Sequence, residues 1–95
     1  MYARITQYKM KPGSREATLP IMESLKDQIM QLPGMVQFIN VMDDNGAGYV
    51  VSLSELAETP PEAAEKIKSI WGAFADFVED VQEAATFEVA ANWRL

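Results

Sequence analysis

Polar and apolar residues alternate from Tyr2 to Lys9, which predicts a strand with Ala3 and Ile5 on one face and Tyr2, Arg4, Thr6 and Tyr8 on the other. Lys11-Pro12-Gly13 ends that strand, and Ser14 stands where a helix cap is needed. Met22, Leu25, Ile29 and Leu32 then recur at spacings of three and four, the stripe of an amphipathic helix. Pro20 has no N–H to offer the Glu16 carbonyl, so this helix either begins near Thr18, with Pro20 in its first turn, or kinks there. Leu32-Pro33-Gly34 stops it, and Met35 to Met42 reads as a second strand. Asp43-Asp44-Asn45-Gly46 is a hairpin turn, and Gly48 to Glu55 is the third strand. Thr59 and Glu62 have capping-box spacing, with Pro60 at the first helical position. The apolar stripe from Ala63 through Trp71 and Phe74 to Val81 predicts a helix over Pro60–Val81. At 1.5 Å per residue it would run about 33 Å, against about 26 Å for an eight-residue strand, so a bend is expected near Gly72. Thr86 to Arg94 alternates again and is the fourth predicted strand.

The order β-α-β-β-α-β predicts an α+β, ferredoxin-like sandwich: a four-stranded antiparallel sheet with both helices on one face. Ninety-five residues make one domain, residues 1–95, since a second core needs roughly another hundred. The second predicted strand is apolar on both faces, Phe38 and Met42 opposing Ile39 and Val41, as in strands covered on both sides. The uncovered face is expected to be mixed, with aliphatics and tyrosines in one part and Arg4, Thr6, Ser52, Glu88 and Asn92 in another. Such a face suits a two-fold homodimer whose sheets pack against each other, with a ligand cavity between them.

Composition narrows the chemistry. Fourteen acidic residues against eight basic ones give a net charge of −6, and the basic residues are scattered, which argues against nucleic acid as a partner. The chain has no histidine and no cysteine, which removes disulfides, thiol nucleophiles and nucleophilic triads and leaves only carboxylates as metal ligands. Asp43 and Asp44 belong to the turn, because no calcium-loop spacing follows them. No run approaches the ~18 apolar residues of a membrane span, and the alternating N-terminus is unlike a secretion signal. A soluble cytoplasmic protein with no membrane partner, no metal and no cofactor is expected.

Four short stretches resemble the antibiotic biosynthesis monooxygenase (ABM)-like family of the dimeric α+β barrel superfamily. They are the first strand running into Lys11-Pro12-Gly13, the stop Leu32-Pro33-Gly34-Met35, the strand end Ser52-Leu53-Ser54-Glu55, and Trp71-Gly72-Ala73-Phe74. The resemblance implies a homodimer whose two sheets form a barrel. Some members oxidise aromatic polyketides without a cofactor, others degrade haem or oxidise quinols, and many have no known activity. The polyketide oxidisers are credited with tryptophan, asparagine, tyrosine and arginine around the cavity, parts that Trp71, Asn40, Tyr8 and Arg94 can play here. The haem degraders use a histidine iron ligand, which this chain lacks.

The candidate ligand-binding residues are therefore Tyr8, Asn40, Ser52, Trp71, Asn92 and Arg94, and none can be singled out as catalytic. Each also has a plainer reading. Trp71 suits a helix core, Asn40 a hydrogen-bonded interruption of an apolar strand, Tyr8 packing, and Arg94 solvent. Arg4 and Glu88 are expected to pair as ions across neighbouring strands. Glu62, Glu65, Glu79, Asp80 and Glu83 form an acidic group expected on the second helix, either a docking surface for a macromolecule or a solvated face. Two readings of function stay open: a cofactor-independent monooxygenase of small aromatic or quinol-type molecules, and a non-catalytic module that binds a small apolar ligand or serves for dimerisation.

Overall fold

The strand that begins the chain becomes the centre of the sheet. In the computed structural model, which describes residues 1–95, the elements run β1 (Tyr2–Met10), α1 (Ser14–Ser24), α2 (Lys26–Met30), β2 (Met35–Met42), β3 (Ala47–Ser54), α3 (Pro61–Gly72), β4 (Val78–Val81) and β5 (Ala85–Glu88). The sheet is antiparallel, in the order β2-β3-β1-β4, with β5 also paired to β1. This is the expected α+β, ferredoxin-like arrangement, with the fourth strand position filled by two short pieces. β5 takes Tyr2 to Ile5 and β4 takes Tyr8 to Met10, with the Gln82 amide bonded to the Gln7 carbonyl between them.

The second long helix is shorter than the apolar stripe predicted. It ends at Gly72, where a bend was expected, and the chain turns through Ala73–Phe77 into β4. Phe74 and Val78, read as helical positions, instead close the core from the turn and from β4. Glu79 and Asp80 consequently lie on a strand, so the acidic group is not one helical surface. The last strand is also shorter than expected. Its register sets Glu88 opposite Tyr2, and one more bond follows, from the Val89 N–H to the Met1 carbonyl.

Local chemistry explains the remaining boundaries. Gly13, at φ 79°, occupies the cap of α1, while Ser14 is the first helical residue and donates its hydroxyl back to the Lys11 carbonyl at 2.6 Å. The helix runs through Pro20 and breaks at Leu25, whose amide bonds three residues back to Met22. The hairpin forms as predicted: Asp43 accepts from the amides of Asn45 and Ala47 at 2.9 and 3.0 Å, and Gly46 takes φ 87°. Pro60, not Thr59, caps α3. The Thr59 hydroxyl is turned instead toward the Arg4 guanidinium, which donates to it.

The helices cover the face of the sheet that carries Tyr8 and Met10. These two residues and Phe74 are almost fully buried, packed by Met22, Leu25, Val50 and Trp71 among others. Strand register places Tyr2, Arg4, Thr6, Ser52 and Asn40 on this same side. The expectation of a mixed open face is thereby corrected, because the polar set points at the helices. The open face is the apolar one, with Ile5, Val51 and Ile39 aligned across three strands and Val41, Tyr49 and Phe87 around them. Ile39, Val41, Tyr49 and Phe87 are 43–56% exposed.

Candidate functional site

A cavity of about 110 Å³ lies between the helices and the sheet of the single chain. A helix layer over a flat sheet leaves such a space when the facing residues are uneven in size. Here Thr6, Ser52 and Ser54 are short, whereas Tyr8, Phe38 and Trp71 are long. The cavity is closed at the end formed by Tyr8, Met10 and Phe74, which are 1–2% exposed. At the other end its lining includes Leu56, Ala57 and Glu58, all exposed, so this end is the mouth.

The closed end carries the polar chemistry. The Tyr8 hydroxyl donates to Asn40 Oδ1 at 2.6 Å, and the Val41 carbonyl oxygen lies 3.2 Å away. A buried amide needs such a partner. The Trp71 ring meets the Tyr8 ring edge-on, with centroids 5.6 Å apart and planes at 62°, the T-shaped arrangement that aromatic quadrupoles favour. Burial pushes the Tyr8 phenol above its ordinary value of 10.0; the Asn40 contact opposes this and the charge of Asp43 adds to it. The phenol is therefore neutral near pH 7, a proton donor and not a base.

Four of the six residues expected at a site, Tyr8, Asn40, Ser52 and Trp71, line this one cavity. Asn92 and Arg94 do not. Both are exposed in the segment after β5, beyond the reach of the sheet. Arg4 is the lining residue that the sequence reading assigned elsewhere. Its expected ion pair with Glu88 is absent, because register puts Thr86 opposite Arg4 and Tyr2 opposite Glu88. The signal was present in the alternation of β1, which sets Arg4 on the face of Tyr8.

In sequence the chain matches no protein-family model and no curated protein. Solved structures do match. A candidate antibiotic biosynthesis monooxygenase from Nitrosomonas europaea superposes with a TM-score of 0.68 at 15% identity, over 96% of this chain and 100% of that one. Another from Chloroflexus aurantiacus gives 0.62 at 19% identity, over 98% and 96%. A third, from Deinococcus radiodurans, gives 0.63 at 10% identity, over 100% and 98%. The chain has the fold of the antibiotic biosynthesis monooxygenases. The match spans each of those chains almost end to end. No helix of this ABM-like domain is long and apolar enough to cross a membrane.

Proposed function

We propose that this ABM-like domain binds a small phenol or quinol in the cavity between helices and sheet and oxidises it with molecular oxygen, without a cofactor. The observation that carries the proposal is the Tyr8–Asn40 pair at the closed end of a largely apolar cavity, beside Trp71. An aromatic ring fits against Trp71 and Phe38, and its hydroxyl reaches the Tyr8–Asn40 pair. A cavity of about 110 Å³ is small beside the roughly 300–1,000 Å³ of pockets for drug-sized ligands, so the ligand has a single ring.

In such a reaction the substrate supplies the electrons. A phenol and O2 give a quinone and water: the ring carbon para to the hydroxyl loses hydrogen and gains one oxygen atom. The second oxygen atom leaves as water with that hydrogen and the phenolic proton. A quinol, whose para carbon already carries oxygen, instead passes two electrons and two protons to O2 and gives the quinone and hydrogen peroxide. The protein holds the ring in a dry cavity and hydrogen-bonds the oxyanion that forms as the phenol ionises, through the Tyr8 hydroxyl and the Asn40 amide. No base stands at the closed end, so substrates that ionise readily in water react fastest.

The test is oxygen uptake with phenols that carry hydrogen para to the hydroxyl, followed by mass spectrometry of the product formed under 18O2. One labelled oxygen per quinone, lost in Tyr8→Phe, supports the proposal. Ligand binding without oxygen uptake overturns the oxidation step and leaves a non-catalytic binding module. The neutral, raised-pKa Tyr8 is the observation that favours this second reading.

The open sheet face supports a homodimer. Four strands at 4.8 Å by about 26 Å present roughly 500 Å² per chain, in the upper part of the range of about 300–600 Å² for the largest apolar patch on a monomer, a size that often marks an interaction surface. A second copy packed face to face through Ile5, Ile39, Val51 and Phe87 covers it. The cavity stays inside each protomer.

A further inference from the structure

The mouth of the cavity carries two opposite charges, and its closed end carries none. Arg4 is the only basic residue lining the cavity and Glu58 the only acidic one. Arg4 is half-buried on the cavity-facing side of β1, and the only ion pair in the chain joins Lys9 to Glu79, so no carboxylate lies within 4 Å of its guanidinium. One of its N–H groups donates to the Thr59 hydroxyl. A guanidinium has five N–H donors in a planar fork, and Thr59 is its only side-chain hydrogen-bond partner here. Removing a cation from bulk water without a counter-ion is costly, and the cost is offset when an anion binds there.

We propose that the mouth is an anion subsite in which Arg4, held in place by Thr59, receives the carboxylate of an aromatic acid whose ring enters the cavity. This deepens the reading of the cavity given above and rests on it. Geometry sets the order of groups in the ligand. Arg4 and Tyr8 are four residues apart on one strand, so their Cα atoms are about 13 Å apart, and one short-armed ring bridges the space between their side chains. A carboxylate suits the site better than a phosphate dianion. One fork matches one carboxylate with two parallel bonds, and no second cation lines the cavity to balance further charge. The acid group sits at the exposed mouth, and the ring takes the dry end by Trp71.

The experiment compares 4-hydroxyphenylacetate with its neutral amide, 4-hydroxyphenylacetamide, by calorimetric titration of the full chain. Wild-type protein is expected to bind the acid at least about tenfold more tightly than the amide, the scale of a charge-assisted hydrogen bond. Arg4→Gln should abolish the preference, so that acid and amide bind with equal affinity. Arg4→Lys, which keeps the charge but not the fork, should restore part of it. Melting curves of both variants establish that they fold, and a Thr59→Val variant gives an independent handle, with a smaller loss of preference expected. Equal affinities for acid and amide in wild-type protein, or a preference that survives Arg4→Gln, overturn the anion subsite while the cavity reading stands. Failure of both compounds to bind overturns the two together.

Discussion

Gly48 lies opposite Tyr8 in the β1–β3 register, and a side chain at Gly48 would come within 2.5 Å of the Tyr8 hydroxyl oxygen. The hydroxyl reaches Asn40 only because this position carries no Cβ. The backbone carbonyl of Val41 lies against the same point, so the neighbour that would have to move is rigid main chain. Gly48→Ala is therefore expected to push the Tyr8 ring off Asn40 and to cost about 1–3 kcal/mol of stability, the range for overpacking a filled site. Chemical denaturation measures the loss. Ligand titration should show weaker binding of phenols, with binding at the Arg4 mouth less affected.

Tyr8→Phe keeps the ring against Trp71 and removes the hydroxyl. The Asn40 carbonyl oxygen then has no donor, and leaving a buried acceptor unpaired costs about 1–3 kcal/mol. Because Asn40 is only half-buried, the low end is expected. A double-mutant cycle with Asn40→Ala checks the assignment. If the two side chains act through each other, the second substitution costs little once the first is made.

The same residue gives the stability a pH dependence. The folded-state pKa of Tyr8 lies above the unfolded value of 10.0, chiefly through burial. Between those two values the unfolded chain has lost a proton that the folded chain retains, so stability falls as pH rises. The contribution is fully present below pH 10 and is lost as pH climbs through the folded pKa. Melting temperatures measured from pH 8 to 11 should drop more steeply above pH 10 in wild-type protein than in Tyr8→Phe. Parallel curves would show that Tyr8 does not titrate abnormally.

Alternation along β1 and β3 told which residues share a face, and it did so correctly, but it carries no mark of which face the helices cover. Arg4, Thr6 and Ser52 suit an uncovered face that a second copy closes, because polar residues are usually kept out of a helix–sheet core. They face the helices because the space beneath these helices is a cavity with polar groups in it. The end of α3 was legible as a mismatch of lengths near Gly72. What followed was not, since Phe74 and Val78 keep helical spacing while lying in a turn and a strand. Asp43–Gly46 was legible in full, because turn chemistry is local. The extent of the last strand was not. It depends on where its partner β1 begins, a non-local fact.

The apolar open face predicts the assembly. Ile5, Val51 and Ile39 form a row across β1, β3 and β2. Leaving Ile39, Val41, Tyr49 and Phe87 43–56% exposed on one side of a 95-residue chain forgoes burial worth about 25 cal/mol per Å². Small domains have little stability to spare, so covering this face with a second copy adds a large fraction of the total. Wild-type protein is expected to sediment at twice its chain mass of 10.6 kDa at micromolar concentration. Ile39→Lys, which places a charge on this face without touching the cavity, should shift it toward the single-chain mass and lower the melting temperature. Ligand affinity of any folded single chains should persist, because every residue lining the cavity comes from one copy. Sedimentation of wild-type protein at the single-chain mass would reject the face-to-face pairing.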